Sequence, residues 1–271
     1  MWSFISAGRA SLGLAICLAV LAPLQSDAQG MMDHVDLGSP RMSGADLQRG
    51  DVEKLIAAGT PVNLTDKSLN GVDLSGLDLA GADLRWARLN RAKLAGTKLD
   101  GARLDLAWAI EADFTGASLK GANLFQAQLL RATLDHVDLS GARLPANFES
   151  ASMVGARLVG ADGSPDMRNQ SMGLMRAVLR QAKLQGADLT DAKLSRADME
   201  YAKLQTARLQ GADLTMAKLG GANLTGADLA RCDLTGAAIA SAIFLQATGL
   251  DEAIGLDRAI HRDRAFFDRT N

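Results

Sequence analysis

A leucine stands at every fifth position along most of this chain, and that period limits the possible folds more than any other feature. Every fifth residue from Leu64 to Leu144 gives seventeen positions, fifteen of them Leu, with Ala109 and Phe114 the exceptions. The phase runs again from Leu174 to Phe244, where twelve of fifteen are Leu and the others are Met199, Ile239 and Phe244. Two residues before each lies a second column. It is Ala at eleven of seventeen positions in the first run and thirteen of fifteen in the second, with Cys232 in one Ala slot.

Residues two apart on an extended chain point the same way, so the Leu and the Ala before it face inward together and the residue between them faces out. A period of five excludes one long helix, which would smear the leucines around its circumference. It also excludes a continuous strand, which would flip them between faces. A short extended piece, a turn and repetition remain. Gly recurs two residues after the Leu, as at Gly76, Gly81, Gly101 and Gly186, where a corner needs a permissive backbone. Successive coils then stack and bury both columns along an axis.

Charge sets the number of units per coil. Among residues just before each Leu, a spacing of twenty gives eight opposite-sign pairs and two like-sign pairs, whereas five gives eight and seven. Asp73/Lys93, Asp78/Lys98 and Asp198/Lys218 are examples, and Arg91, Glu111 and Arg131 alternate in a second column. Stacked neighbours favour opposite charge, so four units per coil are expected. Aromatics make up only 4% of the 271 residues, which suits a core of small regular layers.

The units Gly81-Ala82-Asp83-Leu84, Gly121-Ala122-Asn123-Leu124, Gly186-Ala187-Asp188-Leu189, Gly211-Ala212-Asp213-Leu214 and Gly226-Ala227-Asp228-Leu229 resemble the A(D/N)LXX motif of the pentapeptide-repeat family. The resemblance spans residues 62 to 247. It implies an all-β solenoid, a right-handed quadrilateral β-helix with four units per coil. About nine coils at roughly 4.8 Å each make a rod about 43 Å long.

Residues 1–28 read as an export signal, with a retained membrane anchor as the competing reading and a lipoprotein signal disfavoured by Ile16 before Cys17. One positive charge precedes an apolar run from Ala10 to Leu24, and Ser26-Asp27-Ala28 supplies small residues for cleavage after Ala28. That predicts a periplasmic or secreted protein with no membrane span after cleavage, and with Cys232 as its sole thiol. Residues 29–61 form a leader and an N-terminal helical cap, with Asp51 at the helix start and Gly59 at its end. Residues 62–160 are the first run, 161–173 an interrupting loop and 174–247 the second run. Residues 248–271 form a C-terminal cap in which Leu250, Ile254, Ile260, Phe266 and Phe267 pack on the last coil through short helical turns. Phe148, Met153 and Leu158 keep the rhythm one position early, and Ser164, Pro165, Asp166, Met167 and Arg168 form the candidate loop.

Most outward positions are polar. Trp86 and Leu106, and Ile110 and Leu130, are stacked pairs twenty apart, with Trp108 and Phe125 on neighbouring faces. Together these six are a candidate interface for a protein partner or a second copy in a homodimer. No catalytic constellation is evident: His34, His136 and His261 are scattered, no His or Cys cluster has metal-ligand spacing, and no phosphate-cradling loop precedes a helix. No enzyme activity, cofactor or metal is expected, and a net charge of −2 gives no reason to expect nucleic acid. The function expected is a non-enzymatic interaction scaffold of the cell envelope or secreted space. The resemblance also implies an alternative, a DNA-mimicking gyrase-binding protein, which applies to an unexported chain. A structural protein without a specific partner is the third reading.

Overall fold

Each five-residue unit contributes a single residue to a ladder of parallel β-bridges, and the chain climbs one rung per four units. The computed structural model describes residues 39–59, 61–165 and 175–268, all within one structural unit. The residues assigned to an export signal lie outside the described residues. Asn63 bridges Asp83, Asp83 bridges Arg103 and Arg103 bridges Asn123, with the same spacing of twenty on three further faces. The faces are numbered here one to four by the leucines that open them, Leu64, Leu69, Leu74 and Leu79. The result is a β-helix with the Leu and Ala columns inside, both fully buried along almost their whole length.

The backbone explains the unit. The Leu N–H donates to the coil above (Leu64 to the Asp83 carbonyl, 2.8 Å), and the residue before it donates to the coil below (Asp83 to Val62, 2.9 Å). The residue two after the Leu donates upward (Asp66 to Arg85, 2.9 Å), and the inward Ala closes the corner on the preceding Leu (Ala82 to Leu79, 3.0 Å). Four of the five N–H groups are thereby satisfied, and the one directly after the Leu is left over. A buried or corner donor without a partner is costly. The Asp or Asn just before the Leu removes that cost, because its Oδ1 accepts this N–H: Ser75 to Asp73 at 3.0 Å, Thr115 to Asp113 at 2.9 Å, Thr215 to Asp213 at 2.9 Å.

Where that position is not Asp or Asn, the coil below can supply the acceptor. Asp100 accepts from Lys120 N–H at 3.0 Å, and Asp135 from Val154 N–H at 2.9 Å. Asn70 accepts from Asn90, and Asn90 from Ile110. Pro145, which follows Arg143 and Leu144, has no N–H to satisfy. The acidic residues before each Leu are therefore corner acceptors first. Charge sorting located the right register, since Asp73/Lys93 and its companions are bridged pairs. Yet Lys98–Asp78 at 3.6 Å and Arg103–Asp83 at 3.9 Å are loose, water-facing contacts worth at most about 1 kcal/mol each.

At the lower end the chain covers its own first coil. A single helical turn, α1 (Pro40–Ser43), falls where the sequence showed no pattern. Ala45 then makes an antiparallel bridge with Leu69, and Asp46 and Leu47 donate to the Ser68 carbonyl. Helix α2 (Arg49–Ala57) buries Val52 against the core, and the Arg49 Nη1 reaches the carbonyls of Asp73 (3.3 Å) and Ser75 (3.1 Å). Asp51 does not start α2. It is the third residue of the first turn and accepts the Gln48 N–H at 3.1 Å, which, together with Lys54, holds its carboxyl below the usual range.

The interruption has two parts. At Leu144-Pro145-Ala146 the corner is one residue short, which sets Phe148, Met153 and Leu158 in the Leu columns one position early. The ladder then continues through Asp162, and Gly163 takes the Leu position between Leu144 and Leu194. Ala177 returns by donating to the Gly163 carbonyl at 2.9 Å. Residues 161–163, placed in the loop by the sequence, thus belong to the ladder, because Ala161 is buried and Asp162 is still a rung. Leu174, Asp166, Met167 and Arg168 lie outside the described residues.

At the upper end the regular spacing stretches to 21, 22 and 23 residues: Asp233 bridges Ile254, Ala238 bridges Ile260 and Ile243 bridges Phe266. These make a tenth rung on faces one to three, one more than the nine coils expected. The added residues are 3-10 turns at Leu256–Arg258 and Arg262–Arg264. Phe267 stacks on Phe244, ring centroids 5.0 Å apart, and lengthens the third Leu column by one member.

Candidate interaction surface

The six interface candidates separate into two groups. Trp86 and Leu106 occupy the left-handed corner position of face one, with φ of 57° and 59°, and project from the rod. Trp86 is 47% exposed, its ring 5.5 Å from the Arg85 guanidinium. Phe125 lies half-buried in the same corner under the Arg143 guanidinium at 4.8 Å. Trp108 bridges Arg88 and Gln128 on face two and is half-buried. These four make an apolar strip with cations on its flank.

Ile110 and Leu130 do not belong to it, because they are 1% and 4% exposed. They stack in the corner after face two on Asn70 and Asn90, themselves buried, in a column separate from the inner core. Side chains repeated at the coil spacing in one corner cover each other, and the Asn90 Oδ1 holds the Ile110 N–H at 3.0 Å. Ala109 sits in the Leu column without a bulge, its N–H donating to the Gln128 carbonyl at 2.8 Å. In the loop, the Ser164 N–H and hydroxyl both donate to Asp162, and Pro165 is half-buried beside it.

Below the strip, Asp83 chelates Arg85: Nε to Oδ1 at 2.8 Å and Nη2 to Oδ2 at 2.6 Å. Chiefly through that contact, the Asp83 carboxyl is held down to about 2. A folded-state value below the ordinary 3.8 contributes stability that is present above the ordinary value and is lost as pH falls toward 2. Urea midpoints between pH 5 and pH 2 are therefore expected to fall less in Asp83→Asn than in the wild type, the difference being on the order of 1–2 kcal/mol.

The five-residue rhythm could not reveal Ile254, Ile260 and Phe266 as outward, because their spacing departs from it. They do not pack on the last coil. They bridge it, and their side chains are 48%, 50% and 56% exposed. Tyr201 and Met216 also project from left-handed corners. Cys232 fills its Ala slot, and burial, with Asp233 and Asp213 near, pushes its thiol up to about 12, far from a reactive thiolate. Among the described residues no three His, Cys, Asp or Glu are grouped to hold a metal, and no helix is long and apolar enough to cross a membrane.

The family model for pentapeptide repeats matches residues 68–105, 110–144, 174–211 and 207–244, in eight copies. The chain belongs to the pentapeptide-repeat family. This pentapeptide-repeat chain is similar to the crystal structure of HetL, a pentapeptide repeat protein involved in heterocyst differentiation regulation from the cyanobacterium Nostoc sp. strain PCC 7120. The identity is 33% over 81% of this chain and 99% of that one, with a TM-score of 0.32. It is also similar to QnrB1, a plasmid-mediated fluoroquinolone resistance protein, at 20% identity over 72% of this chain and 92% of that one, TM-score 0.37. No curated protein matches.

Proposed function

We propose that this pentapeptide-repeat protein is a non-enzymatic interaction scaffold of the cell envelope or secreted space, exported by residues 1–28 with cleavage after Ala28. The rod is a right-handed quadrilateral β-helix shielded at its lower end by α2. A protein partner docks on the corner formed by Trp86, Leu106, Phe125 and Trp108.

The observation that carries this reading is that this corner gathers two tryptophans, a phenylalanine and a leucine where most outward positions of the coils are polar. In a β-helix the backbone hydrogen bonds are made within the rod, so outward side chains are free to vary. Aromatic rings at the edge of a patch, flanked by Arg85 and Arg143, are the kind of group that anchors interfaces. Export is supported by the arrangement of charge, apolar run and small residues at the amino terminus.

The test is in-cell crosslinking with mass spectrometry, together with sequencing of the mature amino terminus. A chain starting at Gln29 and a partner crosslinked near Trp86 are expected. Trp86→Ser with Trp108→Ser is expected to weaken that partner's binding by tenfold or more, since losing two buried aromatic anchors costs about 2 kcal/mol or more. An uncleaved chain, or crosslinks insensitive to both tryptophans, overturns the reading.

A further inference from the structure

Where two charged residues bridge one another along the rod, they are of opposite sign with two exceptions among the described residues, and the exceptions complement each other. Lys183 bridges Lys203 on face three, and Asp213 bridges Asp233 on face one. Like charges stacked on neighbouring strands repel. Among the described residues none of these four side chains has an ion pair to offset that repulsion. Faces one and three lie two units apart in a coil of four, so the lysine pair and the aspartate pair look out from opposite sides of the rod.

We propose that face three packs on face one of a second copy of this chain, with the two rods parallel and one slid along the axis. The slide is an offset of thirty residues, which sets Lys183 on the partner's Asp213 and Lys203 on the partner's Asp233. The same offset sets Asp73 on the partner's Arg103, Asp113 on the partner's Arg143 and Lys93 against the partner's Asn123. No like charges meet along the two columns. The register is specific. One rung less sets Asp73 on the partner's Asp83, Lys93 on the partner's Arg103 and Lys183 on the partner's Lys193, whereas one rung more sets Lys93 on the partner's Arg143 and Asp113 on the partner's Asp162.

The corners let these faces approach. On the side of face four, face three is bordered by Gly76, Gly96 and Gly116 and face one by Gly81, Gly101 and Gly121, so the left-handed corner positions that elsewhere carry a side chain project nothing there. Each exposed pair is weak alone and is screened by salt, so the contact is a sum along two flat faces and weakens with ionic strength. The two faces differ, which makes the contact heterologous. Each added copy presents a fresh face three, and the product is an open row of rods pointing one way, with faces two and four uncovered.

Sedimentation velocity on the purified full chain over a rising concentration series is the test. In ~10 mM salt the mean mass is expected to climb with concentration, and in ~1 M salt, where the screening length falls to about 3 Å, to return to one chain. Lys183→Glu with Lys203→Glu is expected to lower the association constant about a hundredfold or more, because it sets carboxylates on Asp213 and Asp233 of the partner subunit. Asp213→Asn with Asp233→Asn keeps the acceptors for the Thr215 and Thr235 N–H groups. It is expected to lower the constant about tenfold. The first variant keeps face one and the second keeps face three, so an equal mixture is expected to stop at two chains. Lys98→Glu with Arg208→Glu, the same change of net charge on face four, is expected to leave the rows growing. A wild type that stays at one chain in ~10 mM salt, growth indifferent to salt, growth that survives the lysine reversal, a mixture that remains at one chain, or loss of growth in the face-four variant overturns the proposal.

Discussion

Phe114→Ala is expected to lower stability by about 3–5 kcal/mol, read as a drop in the urea midpoint. Phe114 is fully buried in the third Leu column, between Leu94 and Leu134. It shares its coil with Ala109, the one Ala among the described members of the Leu columns, on the neighbouring face. A short side chain on one face and a long one on the next keep the cross-section of that coil filled. Truncating Phe114 leaves two small residues in one coil, and neighbouring coils, fixed by the bridge ladder, cannot collapse into the space. The compensation is testable in reverse. Ala109→Leu alone overfills the coil and is expected to cost about 1–3 kcal/mol, whereas Ala109→Leu with Phe114→Leu restores the ordinary pair and is expected to lie nearer the wild type than either single change.

The second large effect runs against the repeat itself. Gly163 stands in a Leu column, so sequence logic recommends Gly163→Leu as an improvement. The structure predicts a loss of about 1–3 kcal/mol or more. A Cβ at 163 meets the Ala177 Cβ at 2.7 Å and the Leu194 Cδ2 at 3.0 Å. Ala177 closes the excursion with its N–H on the Gly163 carbonyl, and its methyl takes the space a side chain at 163 needs. Gly163→Ala is the finer probe. Its cost is expected to shrink when combined with Ala177→Gly, because the contact responsible is between those two methyl positions, and a double-mutant cycle in urea measures the coupling.

The leucine period, the inward Ala column, the stacking by twenty and the inward place of Cys232 were all legible in the sequence, because each depends on residue types at a fixed spacing. The reason for the Asp or Asn was not legible from sign counting, since it depends on which backbone N–H each corner leaves over. Ile110 and Leu130 read as outward by position, and only the corner stack on Asn70 and Asn90 hides them. Ile254, Ile260 and Phe266 read as packed residues because 3-10 turns lengthen their corners and take them out of phase. The start of the loop was set too early for a related reason: Asp162 still bridges although its neighbour Gly163 has lost the Leu signature.

The corner N–H has a consequence for how this chain tolerates change. A corner with its own Asp or Asn is self-sufficient, whereas the corner at Lys120 borrows from Asp100 one storey down. Replacing Asp100 thus injures a coil it does not belong to, while Ser118 can be varied freely only as long as Asp100 stays. Substitution in such a rod is a matter of lending between storeys, and the fate of a residue is decided by its neighbour twenty places away as much as by the one beside it.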